Sequence, residues 1–124
     1  MFVRTKRFAD RLASILAGRG IRCAALHADR TQADQTAAVE GFRSGRHRVL
    51  VATDIAARGL DIDGIEHVIN YEVPHGADAY VHRAGRTGRA EATGIALTLA
   101  APDELPDLRA IEQSIGIRIG DLEA

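Results

Sequence analysis

The chain has 124 residues and a mass of 13.3 kDa, a size at which one domain around one core is expected. It is 46% apolar and 27% charged, too apolar for a disordered polymer, and no apolar run is long enough to cross a bilayer. The net charge of −1 hides an imbalance: residues 1–60 carry 11 basic and 5 acidic side chains, whereas residues 61–124 carry 5 and 12, so one half can offer a face to an anion.

Phe2-Val3 reads as the end of a strand. Thr5 is placed to cap a helix in which Phe8, Leu12, Ile15 and Leu16 share one apolar face, with Gly18 and Gly20 ending it. Arg22 to Leu26 is the next strand. Thr31, three residues before Asp34, caps a second helix with Val39 and Phe42 inward and Gly45 beyond its end. Val49 to Ala52 is continuously apolar, as a strand buried on both faces should be. The polar stretch from Thr53 to Asp61 follows it directly. Ile65 to Tyr71 is another strand, closed by Pro74. Ala77 to Ala84 is a short helix before a loop holding Gly85 and Gly88. Ile95 to Leu99 is a strand, and Asp103 to Ser114 a helix with Leu105, Leu108, Ile111 and Ile115 on one face. Ile117 to Ile119 forms a last short strand.

Strands alternating with helices predict an α/β layer fold with a parallel sheet. In such sheets ligands bind beyond the carboxyl ends of the strands. Two segments leave those ends loaded with Thr, Asp, Arg and Gly: 53–61 and 82–89.

In the second, Arg83, Arg86 and Arg89 recur at a spacing of three, with Gly85 and Gly88 between them. Guanidinium forks match phosphate oxygens bidentately. Alone, the stretch reads equally as a polyphosphate clamp or as a solvated basic turn. In the first, Asp54, Arg58 and Asp61 follow a buried strand, and Asp61 has the chemistry to accept from a ribose diol or to cap a turn. The histidines show no metal-ligand spacing. Cys23 is the single cysteine, which excludes an internal disulfide framework and makes it a core thiol by expectation. The charged opening MFVRTKRFAD has no signal-peptide pattern. A cytoplasmic location is the expectation.

Together the two segments resemble the C-terminal RecA-like domain of the DEAD-box RNA helicases. ATDIAARGLDI (52–62) looks like motif V of that family, and HRAGRTGR (82–89) like motif VI. FVRTKRFADRLASIL (2–16) is similar to the motif IV strand and helix. HADRTQADQ (27–35) and FRSGRHRVLVATD (42–54) resemble the stretch between IV and V. The resemblance implies a three-layer α/β/α domain with a mostly parallel sheet of five to six strands.

It also implies roles. Arg86 and Arg89 correspond to the catalytic arginine fingers that reach ATP phosphates, and Asp61 to the carboxylate on the ribose. His82 and Arg83 correspond to a network between two domains. Thr53, Arg58, Gly59 and Gln32 correspond to contacts with the RNA backbone, which would make binding sequence-independent and salt-sensitive. Three departures stand out: Gln35 replaces the usual Arg of Gln-x-x-Arg, Ala28 the usual Gly of His-Gly-Asp, and Glu91 the usual Gly after motif VI.

The sequence holds no Gly-x-x-x-x-Gly-Lys-[Ser/Thr] loop and no Asp-Glu-Ala-Asp string. In the family these lie on the N-terminal RecA-like domain, which binds ATP and Mg²⁺. The expectation is therefore half an enzyme: residues 1–124 as one C-terminal helicase domain with its first strand cut short, inert alone and completed by that N-terminal domain and RNA, with no membrane partner. The alternative is a truncated, non-catalytic module that binds RNA or a protein.

Overall fold

The computed structural model describes residues 1–57, 65–85, 95–116 and 119–120. Helix α1 (Lys6–Gly18) starts where Thr5, in extended conformation, accepts from the Phe8 N–H at 3.2 Å. After strand β1 (Cys23–Leu26), helix α2 (Gln32–Arg43) repeats the device, Thr31 Oγ1 accepting from the Asp34 N–H at 3.1 Å. Each cap satisfies an amide that the helix leaves unpaired, and is worth about 1 kcal/mol. Strand β2 (Val49–Ala52) runs into a single helical turn, α3 (Asp54–Ala57). Strand β3 (His67–Asn70), helix α4 (Ala77–Ala84) and strand β4 (Ile95–Thr98) follow. A 3-10 turn at Pro102–Glu104 leads into helix α5 (Leu105–Ile115). Gly76, at the start of α4, has φ of 95°, a value that side chains with a Cβ rarely adopt.

The strands are parallel. β1 pairs with β2 in the register Leu26↔Ala52, and β3 with β4 in the register Asn70↔Thr98. The amino-terminal segment fills the gap between the two pairs: Phe2 bridges Ala52 on one side and Asn70 on the other. Among the described residues the sheet thus has four strands and this one-residue bridge, where five to six strands were expected. Ile119 is described and Ile117 is not, so the final strand expected there lies partly outside the described residues.

Alternation along the central strands builds the layers. Phe2, Leu50, Ala52 and Val68 face the α2 side with Leu26, Ala38 and Val39. Val3 and Val51 face the α1 side with Ala9 and Leu12. A third cluster joins Val73 to Leu108 and Ile111 of α5. This is the expected α/β/α layering.

Two predicted faces shift. Ile15 is 46% exposed, because buried Ala9 and partly buried Ala13 turn the packed stripe of α1 away from it. Leu105 is 42% exposed. At about 100° per residue it lies to one side of the line through Leu108, Ile111 and Ile115.

Candidate functional site

A parallel sheet delivers all its carboxyl ends to one edge. His27 follows β1 there, Thr53 and Asp54 follow β2, Arg4 follows the amino-terminal segment, and Asn70 and Thr98 end β3 and β4. Thr53 is buried. Its N–H donates to the Leu26 carbonyl at 3.1 Å and its own carbonyl accepts from the Ala57 N–H at 3.1 Å, which starts α3.

Arg83 organises this edge. Its side chain comes from α4 and is 1% exposed. Nε donates to Asp54 Oδ1 at 2.7 Å and Nη2 to Asp54 Oδ2 at 2.7 Å. Nη1 donates to Asn70 Oδ1 at 3.3 Å and to the Glu72 carbonyl at 3.4 Å. Asn70 Nδ2 passes the chain on to Thr98 Oγ1 at 3.1 Å. The Phe2 ring lies under the guanidinium, 5.2 Å from its carbon, so the cation also meets a π face. One buried cation thereby ties together β2, β3, β4 and α4. Alongside, Arg4 donates through Nε to the Val73 carbonyl at 3.0 Å and pairs with Glu104 at 3.2 Å, holding the 3-10 turn before α5 to the same edge.

A second cluster sits at the β1 end. His27 is 3% exposed. Its Nδ1 accepts from the Asp29 N–H at 3.2 Å, which puts the ring proton on Nε2, 2.8 Å from Asp10 Oδ1. Arg30 also donates to Asp10, at 3.2 Å. The His27 hydrogen bond, ahead of the nearby positive charges, holds the Asp10 carboxyl below its ordinary value. Gln35 Nε2 donates to the Arg30 carbonyl at 3.2 Å, so the amide standing where the family has Arg is used within this turn.

Of the residues proposed for function, Thr53, Gln32, His82 and Arg83 are described. Gln32 is exposed at the first turn of α2, and His82 is exposed on α4. Every contact of Arg83 given above is inside this chain. Arg58, Gly59, Asp61, Arg86 and Arg89 lie outside the described residues. Still, the Asp54–Arg83 pair brings the start of segment 53–61 against the start of segment 82–89. Nothing in the sequence marked Asn70 or Phe2 as members of this edge, nor the Asp10–His27 pair, because their partners are set by the fold rather than by spacing. Cys23 is half-buried, and its Sγ donates to the Ala13 carbonyl at 3.2 Å. Among the described residues no three His, Cys, Asp or Glu side chains converge to hold a metal, and no helix is long and apolar enough to cross a membrane.

The model of the helicase conserved C-terminal domain matches residues 1–91. This chain belongs to that family. Its DEAD-box character follows from its relatives. It is 53% identical over 114 residues to the DEAD-box ATP-dependent RNA helicase CshA of Bacillus subtilis, a match covering 92% of this chain and 23% of the relative. Among solved structures it is similar to a DEAD box protein from Methanococcus jannaschii, with a TM-score of 0.93 and 37% identity over 98% of this chain and 34% of that one. It is also similar to the E. coli DEAD-box protein SrmB bound to regulator of ribonuclease activity A, with a TM-score of 0.92 and 36% identity, covering 99% of this chain and 72% of that one. This DEAD-box domain therefore spans about a quarter of the length of the curated relative, 23%.

Proposed function

We propose that residues 1–124 are the C-terminal RecA-like domain of a cytoplasmic ATP-dependent RNA helicase. The observation that carries this reading is the Asp54–Arg83 clamp, at 2.7 Å on both oxygens, which joins the two motif-bearing segments at the sheet's carboxyl edge. In this reading Arg86 and Arg89 meet the phosphates of an ATP bound mainly by a separate N-terminal RecA-like domain, and Asp61 accepts from the ribose. Thr53, Arg58, Gly59 and Gln32 touch the RNA backbone. His82 and Arg83 tie closure of the two domains to the nucleotide.

The chemistry asked of this chain is electrostatic. Charge spreads over the γ-phosphoryl oxygens in the transition state, and an arginine finger is worth about 10³–10⁵ in turnover in nucleotide hydrolases. Mg²⁺ is assigned to the N-terminal domain. The described residues supply no cage for it, and no step on this chain passes through it. Two ligands that both favour the closed arrangement are coupled, so RNA and ATP each strengthen the other's binding, and closure strains a paired RNA.

The test is a chimera in which this domain replaces the matching segment of CshA. RNA-dependent ATP hydrolysis should appear in the chimera and be absent from the isolated chain. Arg86→Ala should lower turnover by at least about 10³. Near-normal turnover in that variant removes Arg86 from its role. RNA binding without turnover in the unmutated chimera would leave a binding module.

A further inference from the structure

The opposite edge of the sheet, where the strands begin, carries a group of arginines. Arg22 immediately precedes β1 and Arg48 immediately precedes β2. Their backbones are joined, the Arg48 N–H donating to the Arg22 carbonyl at 2.8 Å, so the two side chains leave adjacent strands about 5 Å apart. Arg46 lies two residues before Arg48 in the turn between α2 and β2. All three are exposed, and none makes an ion pair or side-chain hydrogen bond among the described residues. A cavity of about 910 Å³ reaches this edge, lined by apolar residues such as Phe2, Phe42 and Leu50 together with Arg22, Arg48 and Glu66, while Arg46 lines a separate cavity on the other side of His47. Arg43 is shared with Glu40 at 3.1 Å.

The turn that presents Arg46 and Arg48 is held in place. The His47 N–H donates to the Gly41 carbonyl at 2.9 Å, and Ser44 Oγ donates to the same oxygen at 3.2 Å. The His47 ring occupies the space where a Cβ on residue 41 would sit, so a larger residue there would have to displace the ring. Two guanidinium groups on this anchored turn and a third at the start of the neighbouring strand, unpaired among the described residues, repel one another, and an anion between them relieves that repulsion.

We propose that Arg22, Arg46 and Arg48 form a second phosphate-contacting surface, at the amino edge of the sheet, for the flank of an RNA strand. This rests on the reading of the carboxyl edge as an RNA face. Strands of four residues set the two edges about 13 Å apart, so one RNA can reach both. Once a strand is held at the first edge, its flank meets the second at a high effective concentration. A polynucleotide carries a charge on every residue and suits the closely spaced forks; an acidic peptide must carry consecutive carboxylates to do the same.

The experiment measures binding of the full chain to a labelled single-stranded RNA of about 16 nucleotides by fluorescence anisotropy across a salt series. Each phosphate contact on a single strand contributes about −0.7 to the slope of log K against log salt, so the variant R22Q/R46Q/R48Q should flatten the slope by about 2. R22K/R46K/R48K should keep it. An unchanged slope overturns the proposal. So does equal competition by polyglutamate of matched charge. Arg58→Gln separates the two readings: if it has no effect while the triple Gln variant flattens the slope, the amino edge stands and the carboxyl-edge assignment fails. If the parent chain binds no RNA, both fall.

Discussion

Arg83 and Asp54 form a two-pronged ion pair with both contacts at 2.7 Å, and the guanidinium side chain has no exposed surface while the carboxylate keeps 34% of its own. The asymmetry sets what each partner costs to remove. Without Asp54 a buried cation is left, among the described residues, with only Asn70, one carbonyl and a ring. Without Arg83 the carboxylate can still be hydrated.

Asp54→Ala should therefore destabilise the domain by about 3 kcal/mol, the range for stranding one member of a buried pair. Arg83→Met, which keeps much of the volume over Phe2, should cost less. Urea midpoints of the two variants check the order. Equal losses would refute this asymmetry, and an Asp54→Ala loss under about 1 kcal/mol would show that the pair is dispensable to the fold.

Cys23 should be a slow thiol. Burial raises its pKa above the ordinary value of 9.0, the nearby backbone hydrogen bond opposing this only in part, and the thiolate is the reactive form. Its alkylation at neutral pH should run well behind that of a free cysteine and catch up after unfolding in urea. A rate equal to that of free cysteine in the folded domain would place the thiol in an open, charged setting that its contact with Ala13 does not provide.

How much of this was legible in the sequence depends on range. The β2 strand, Val49–Ala52, and the α4 helix, Ala77–Ala84, fall where the apolar run and the flanking glycines put them. Both caps, Thr5 and Thr31, were readable because a cap is a local hydrogen bond. The single turn α3 was read as polar loop, since four residues are too few to show a period. Arg83 looked like one of three equivalent arginines. Its distinction comes from Asp54, 29 residues upstream, which no spacing rule connects to it. The Asp10–His27 pair spans 17 residues and was hidden for the same reason.

That pair gives the acid limb of the stability profile. The Asp10 pKa lies below its ordinary value of 3.8 in the folded chain, first because His27 donates to it. A depressed carboxyl stabilises fully above the unfolded value and loses that contribution as pH falls through the folded one. Stability should drop below about pH 4, and Asp10→Asn should flatten this part of the curve. The carboxylate is half exposed, so the effect is a fraction of that for a buried pair. Unfolding midpoints at pH 3 and pH 5 for both proteins measure it; the same drop in Asp10→Asn would assign the acid limb to other carboxylates.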